Sequence, residues 1–212
     1  MMNNKKFKFL FTSLVFGCIF IYLSFLVNKD IFHNLDYDTL VYLQKSFNRI
    51  VDMPFSILTL LGSSEFILPT VTLIFTILFL RKKHLFSGLF LIFLIYIFEL
   101  TGKLFIYHPK PPMIFNRYVL HIFLPSSFIV ETNFSYPSGH MARITFLTVI
   151  ILYFIFKFTK NKLHKNFFIF LSVFFITVMF ISRIYLAEHW FTDVLGGLLL
   201  GVSLGTLALS LW

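Results

Sequence analysis

The stretch FTDVLGGLLLGVSLGTLALSLW at residues 191–212 decides the fold class, because Asp193 is its one charged residue. About 20 apolar residues suffice to cross the hydrocarbon core of a bilayer as a helix. Six stretches of this kind occur along the chain, at residues 9–27, 55–80, 85–105, 138–156, 167–184 and 191–212. The sequence therefore predicts an all-α bundle of six transmembrane helices, which form a single membrane domain over residues 1–212.

The composition of the whole chain supports a membrane setting. Of the 212 residues, 58% are hydrophobic and only 13% are charged. A soluble domain of this size would leave much of that apolar surface in water. The net charge of +9 then reflects basic cytoplasmic loops rather than a nucleic-acid partner. Cys18 is the single cysteine, which argues against a disulfide framework or a cysteine-based metal site.

The basic residues predict the orientation of the bundle. Ten of the 18 basic residues lie in the N-terminal segment and in the loops after the second and fourth spans, none of which contains an acidic residue. They are Lys5, Lys6, Lys8, Arg81, Lys82, Lys83, Lys157, Lys160, Lys162 and Lys165. Because basic loops stay on the cytoplasmic side, both termini are predicted to be cytoplasmic and the other three loops external.

Two segments allow alternatives. The first span follows basic residues, as in a signal peptide, but its apolar run continues well past Cys18, so we expect a retained helix. Residues 28–54 are polar and irregularly amphipathic, which fits either a short helix on the outer interface or a solvated loop.

Polar residues form three clusters at the ends of spans that are predicted to be external. The first runs from Lys103 to Lys110 and Pro111; the second is Tyr136-Pro-Ser-Gly-His140, followed by Arg143. The third comprises Ser182, Arg183, His189 and Asp193. Ionisable residues beside membrane spans are costly and mark functional sites, so the shared face predicts one common site.

The residue types suit phosphoryl transfer without a metal. Lys103, Lys110 and Arg183 provide cations for phosphate oxygens, and Ser138 with Gly139 begins a helix whose free N–H groups favour an anion. His189 and Asp193 are four residues apart and are expected to share a helical face, where the carboxylate orients the imidazole as a nucleophile. His140 is a second imidazole that can protonate a leaving alkoxide.

Each of these residues also has a plainer explanation. Lysine and arginine at span ends commonly reach toward lipid headgroups, and Pro-Ser-Gly is an ordinary turn before a helix. Arg143 is expected either to contact a second phosphate or to pair with an acid, and Glu99 to pair with Lys103. No partner is predicted for Glu65. His108 and His121 are expected to be structural or solvated, and Glu188 to face water or to influence proton transfer. The stripe of Gly197, Gly201 and Gly205 indicates close helix packing or dimerisation.

These motifs resemble the type 2 phosphatidic-acid phosphatase superfamily, the lipid phosphate phosphatases related to vanadium haloperoxidases. Its pattern is K-x6-R-P, P-S-G-H and S-R-x5-H-x3-D; here the last two are unbroken, and Lys110 replaces the arginine of the first. The resemblance implies that His189 forms a phosphohistidine, that Asp193 orients it and that His140 protonates the leaving group. It also implies that Lys103, Lys110, Ser138, Gly139 and Arg183 bind the phosphate, with a looser clamp at Lys110.

The resemblance also implies an enzyme that needs no cofactor and acts on a lipid phosphate in the bacterial cytoplasmic membrane, with its active site facing outside. The expected substrates are undecaprenyl diphosphate, phosphatidylglycerophosphate or phosphatidic acid, the first two ahead of the third. A lipid phosphotransferase with another acceptor than water, or a non-catalytic protein that binds or transports anionic lipid, are the alternatives. The oligomeric state is left open.

Overall fold

The computed structural model describes residues 4–80, 86–120, 132 and 134–212. Within this part the regular secondary structure is helical, apart from one isolated bridge between Pro109 and Phe134. Its α-helices are α1 (Asn4–Val27), α2 (His33–Ser46), α3 (Asp52–Leu60), α4 (Ser64–Leu80), α5 (Phe86–Leu89), α6 (Ile92–Phe105), α7 (Gly139–Phe158), α8 (Lys162–Tyr185) and α9 (Phe191–Leu211). Short 3-10 turns occur at Arg49–Val51 and Met113–Phe115.

The prediction of six membrane spans is confirmed. In the described part of the chain, six helical segments are long and apolar enough to cross a bilayer. They are Asn4–Val27, Arg49–Ile77, Ser87–Phe105, Gly139–Phe158, Lys162–Tyr185 and Phe191–Leu211.

Some helices begin earlier than the predicted spans, because polar residues next to the apolar stretch are also helical. The second span consists of α3 and α4, with a turn at residues 61–63 between them. The fifth begins at Lys162, five residues before its apolar stretch, because the Asn161 side chain accepts a hydrogen bond from Leu163 N and caps the helix. Hydropathy alone does not register such a cap, since it is formed by a polar residue.

The polar segment 28–54 forms a helix rather than a solvated loop. α2 buries Asp36 and Leu40 and packs against α8 and α9. The side chain of Gln44 donates hydrogen bonds to the carbonyl oxygens of Phe115 and Tyr185, at 2.7 and 2.8 Å. This helix therefore covers one end of the bundle.

The central element is α9, which packs against α1 and α7. In the most apolar 18 residues of α9, 67% of the residues are buried, whereas 22% are buried in the corresponding stretch of α1. Gly197 and Gly201 face α7 so closely that a Cβ atom would collide with the carbonyl oxygens of Ser138 and Ala142. The glycine stripe thus serves packing within the chain.

The two ends of the bundle differ in their residues. At one end the start of α1 meets the end of α7, where the rings of Phe9 and Tyr153 lie 5.9 Å apart, close to Lys157. At the other end Ser24 of α1 shares a 3.0 Å hydrogen bond with Tyr136, the first residue of the second polar cluster. The predicted basic connection at Arg81, Lys82 and Lys83 lies outside the described residues.

Candidate active site

The paired His189 and Asp193 lie at the beginning of α9, and both side chains are buried. His189 Nδ1 is 3.2 Å from Asp193 Oδ2, so the carboxylate can orient the imidazole and leave Nε2 available. The expected shared helical face is wrong in detail, because His189 precedes the first residue of α9. The contact arises because Asp193 folds back over the helix start, where its Oδ2 also accepts a hydrogen bond from Trp190 N at 3.0 Å.

The surroundings of His189 favour its neutral form. Burial lowers the pKa of His189, the hydrogen bond to Asp193 opposes this shift, and the nearby Arg183 guanidinium lowers the pKa again. A neutral imidazole whose Nδ1–H points to Asp193 carries its lone pair on Nε2. This is the atom that a histidine nucleophile requires.

The second cluster is hydrogen-bonded to the first turn of α9. Ser138 N donates a hydrogen bond to the Asp193 carbonyl oxygen at 2.9 Å, and α7 begins at the next residue, Gly139. The N–H groups of the first helical turn have no partner within a helix, so they favour an anion there. Ser138 Oγ is buried and has no hydrogen-bond partner among the described residues.

His140 lies on the first turn of α7 and packs against Gly62 in the turn between α3 and α4. The charges of Arg183, Arg143, His189 and Lys103 all act on its ring. His140 therefore lies within electrostatic reach of Arg183, His189 and Lys103, which belong to the motifs of the other two clusters.

Two of the cations share one carboxylate. Glu99 Oε1 accepts a 2.7 Å hydrogen bond from Lys103 Nζ, and Glu99 Oε2 accepts a 2.6 Å bond from Arg143. Arg143 also donates to the carbonyl oxygen of Gly62 at 3.0 Å, and its side chain is buried. Arg143 is thus paired with an acid, and Glu99 links α6 to α7.

Gly139 is the residue against which this carboxylate packs. A Cβ atom at Gly139 would overlap the Glu99 carboxylate. Only glycine therefore allows the Glu99–Lys103 pair to approach the beginning of α7 so closely.

Arg183 lies at the end of α8 and is buried. Its guanidinium is in contact with the carboxylate of Glu188, whereas its Nε has no hydrogen-bond partner among the described residues. A buried N–H donor without a partner costs free energy, so this atom is available for an anionic ligand.

Lys110 differs from the other predicted phosphate ligands in its exposure. It is exposed and lines an outer cavity of about 390 Å³, together with Asp30, Asp36, His108 and Trp190. The cavity meets the paired residues through His108, whose Nδ1 is 2.7 Å from Asp193 Oδ1.

Sequence reasoning missed the roles of His108, Asp36 and Glu188. His108 is buried in contact with Asp193, rather than solvated, and Glu188 contacts Arg183. The position of His108 within the K-x6-K-P motif was the one sequence signal that pointed to its place. No such signal marks Asp36, because its partner Thr192 is 156 residues away in the chain. His121 lies outside the described residues. Within the described residues, no three His, Cys, Asp or Glu side chains are grouped so that they could hold a metal ion.

Comparisons with known proteins identify the family of the chain. The PAP2 superfamily model matches residues 84–212. Phosphatidylglycerophosphatase B from Bacillus subtilis (strain 168) is 32% identical over 152 residues, which cover 69% of this chain and 68% of that protein.

Two solved structures share the fold. The crystal structure of a transmembrane PAP2-type phosphatidylglycerolphosphate phosphatase from Bacillus subtilis matches with a TM-score of 0.72 and 24% identity, over 93% of this chain and 94% of that one. The crystal structure of Aquifex aeolicus LpxE matches with a TM-score of 0.59 and 19% identity, over 82% of this chain and 94% of that one.

Proposed function

This chain belongs to the PAP2 superfamily and is a membrane phosphatase for lipid phosphates, and we propose that its substrate is phosphatidylglycerophosphate. One observation carries the proposed chemistry: a buried His189 is held by Asp193 beside the unpartnered Ser138 Oγ and Arg183 Nε. The choice of lipid is supported by the named activity of the Bacillus subtilis relative.

In the first step His189 is the nucleophile. The lone pair of its Nε2 attacks phosphorus, the bond between phosphorus and the glycerol oxygen breaks, and its electron pair remains on that oxygen. His140 donates a proton to the leaving oxygen and becomes neutral. The products of this step are phosphatidylglycerol and a phosphohistidine whose Nδ1–H is held by Asp193.

In the second step water replaces the histidine. Neutral His140 accepts a proton from the water, the water oxygen bonds to phosphorus, and the electron pair of the P–N bond returns to His189 Nε2. Inorganic phosphate leaves, and the protonated His140 is ready for the next turnover. The same residue thus acts as the acid and then as the base.

The phosphate oxygens are bound by donors from three helices. Arg183 Nε, Ser138 Oγ and the first N–H groups of α7 are the proposed ligands, with Lys103 at the side where it meets Glu99. Charge-assisted hydrogen bonds of this kind stabilise the transition state for phosphoryl transfer. We assign Glu99 and Arg143 to holding Lys103 and the start of α7 in place.

The position of the site suits a lipid. It lies at the end of the bundle where α1 approaches Tyr136, so the phosphate is near the water boundary while the acyl chains remain among the spans. The proposed orientation has the termini in the cytoplasm and this end outside, as the basic residues at the opposite end favour. All six spans contribute to one domain.

Phosphate release from purified protein tests the proposed function. Phosphatidylglycerophosphate is offered beside phosphatidic acid and undecaprenyl diphosphate, in excess chelator, with wild type and His189→Ala. We expect the first lipid to have the highest kcat/KM, vanadate to inhibit, and His189→Ala to lower kcat by at least about 1000-fold.

His33→Ala is the matched control, because this histidine is exposed at the outer cavity. Another preferred lipid would refute the substrate assignment. Full activity in His189→Ala, or loss of activity in chelator, would refute the mechanism.

A further inference from the structure

His108 is held between two buried carboxylates. Its Nδ1 is 2.7 Å from Asp193 Oδ1, and its Nε2 is 3.3 Å from Asp36 Oδ2. Its side chain is 5% exposed, and those of the two aspartates are 0% and 2% exposed. Since an ionised carboxylate only accepts hydrogen bonds, this geometry favours an imidazolium at His108, with a proton on each ring nitrogen.

Asp36 is itself fixed to the start of α9. Its Oδ1 accepts a hydrogen bond from Thr192 N and its Oδ2 one from Thr192 Oγ1, both at 2.8 Å. Thr192 is the neighbour of Asp193 in the chain. The side chains therefore form a closed series from His189 through Asp193, His108 and Asp36 back to the first turn of α9.

We propose that His108, held by Asp36, is a positioning residue that fixes the Asp193 carboxylate so that it orients His189 for attack on phosphorus. This inference rests on the proposed function. With Oδ1 bonded to His108 and Oδ2 bonded to His189 and Trp190 N, the carboxylate cannot rotate. His189 Nε2 is thereby held in one direction during both steps, and no atom of His108 reacts.

The charge of His108 gives this role a dependence on pH. Burial lowers the pKa of His108, but its bonds to Asp193 and Asp36 outweigh this effect and raise the pKa to about 9. Below that pH the imidazolium donates to both carboxylates. Above that pH one ring nitrogen becomes an acceptor that faces a carboxylate, and the hydrogen bond between them is lost.

Other ionisable groups line the cavity beside His108 or contact its ring. From α2 they are Asp36, His33 and Tyr37; from its own loop Tyr107 and Lys110; from the turn before α2 Asp30; from the second cluster Tyr136; and from α9 Asp193. The two aspartates that bond to the ring are the ones that its deprotonation affects directly.

The test compares two amide variants, kcat and KM being measured from pH 6 to pH 10.5 with phosphatidylglycerophosphate. His108→Asn places an amide N–H near the position of Nδ1, whereas His108→Gln places it near that of Nε2. We expect His108→Gln to lower kcat by about 100-fold with little change in KM, and His108→Asn to retain more activity. Wild-type activity should decline near pH 9, where His108 loses its proton, and this decline should be absent from both variants.

His33→Asn is the control, because it changes an exposed histidine of the same cavity, and it should keep the wild-type profile. Asp36→Asn is the second variant in case the His108 variants do not fold. Its amide can still accept from Thr192, but it faces His108 with an N–H group, so the decline in activity should move to lower pH.

A purely structural role predicts a different result. Folded His108→Gln with wild-type kcat, or an Asp36→Asn profile identical to that of wild type, would overturn the inference. If His189→Ala loses turnover while the His108 variants keep the wild-type kcat, this inference is overturned but the proposed function stands. Retained turnover in His189→Ala would instead refute the proposed function.

Discussion

Arg183 and Lys110 are both cations of the sequence motifs, but their environments differ. Arg183 is 4% exposed and has a buried N–H group without a partner among the described residues. Lys110 is exposed at the outer cavity, where Asp30 and Asp36 also lie. A buried guanidinium interacts more strongly with a phosphate than an exposed amine does, because water screens the latter.

Alanine substitutions should reveal this difference. We expect Arg183→Ala to lower kcat/KM for phosphate release by about 1000-fold, and Lys110→Ala to lower it by less than about 10-fold. Steady-state kinetics of the purified variants provide the measurement. Equal losses would place Lys110 at the phosphate, as the sequence motif indicates, and Lys110→Arg should then raise activity.

The sequence identified the candidate residues that lie close together in the chain. The spacing of His189 and Asp193 indicated a pair, although their contact depends on a helix cap rather than on a helical face. The contacts of His108 and Asp36 join residues 85 and 156 positions away, and no local pattern encodes such distances. Residue roles of this second kind need the folded chain.

At the scale of elements, α7 and α9 hold the site because their first turns are bonded to each other. Ser138 N donates to the Asp193 carbonyl oxygen, and the glycines of α9 allow the two helices to run in close contact. Any increase in the distance between these helices would separate His140 and Ser138 from Asp193.

Two glycine substitutions test this packing. At Gly201 a Cβ atom would lie 2.5 Å from the Ala142 carbonyl oxygen, whereas at Gly205 it would lie 3.0 Å from the Val149 side chain. A backbone atom yields less readily than a side chain, so Gly201→Ala should cost about 1–3 kcal/mol of stability and Gly205→Ala less. Melting temperatures in detergent provide the comparison, and a larger loss for Gly205→Ala would contradict it.

The spans could be predicted as elements, but α2 could not be assigned with certainty. A transmembrane helix is set by the thickness of the bilayer, which hydropathy reflects directly. The polar α2 is stabilised by tertiary contacts such as those of Asp36 with Thr192, and these are not visible in its own sequence.

For the whole molecule, the basic end and the site end lie at opposite ends of the bundle. Lys157, Lys160, Lys162 and Lys165 surround the turn between α7 and α8, while the three polar clusters meet at the far end. The proposed orientation, with the site outside, follows from this separation.

Cysteine labelling in intact bacterial cells tests the orientation. Cys18→Ser removes the native thiol, and Asn34→Cys or Lys160→Cys then adds one at an exposed position of α2 or of the turn between α7 and α8. A membrane-impermeant maleimide should label the first variant in intact cells and the second only after permeabilisation. The reverse pattern would place the active site on the cytoplasmic side.

The central claim is that His189 carries the phosphoryl group between the two chemical steps. The most direct measurement is rapid quenching of purified protein with phosphatidylglycerophosphate labelled in its terminal phosphate, followed by analysis of the bound label. We predict a phosphoenzyme that is stable to alkali and labile to acid, as a phosphohistidine is, in wild type but not in His189→Ala. Phosphate release without any bound label at every quench time, or the same labelling of His189→Ala, would contradict the account.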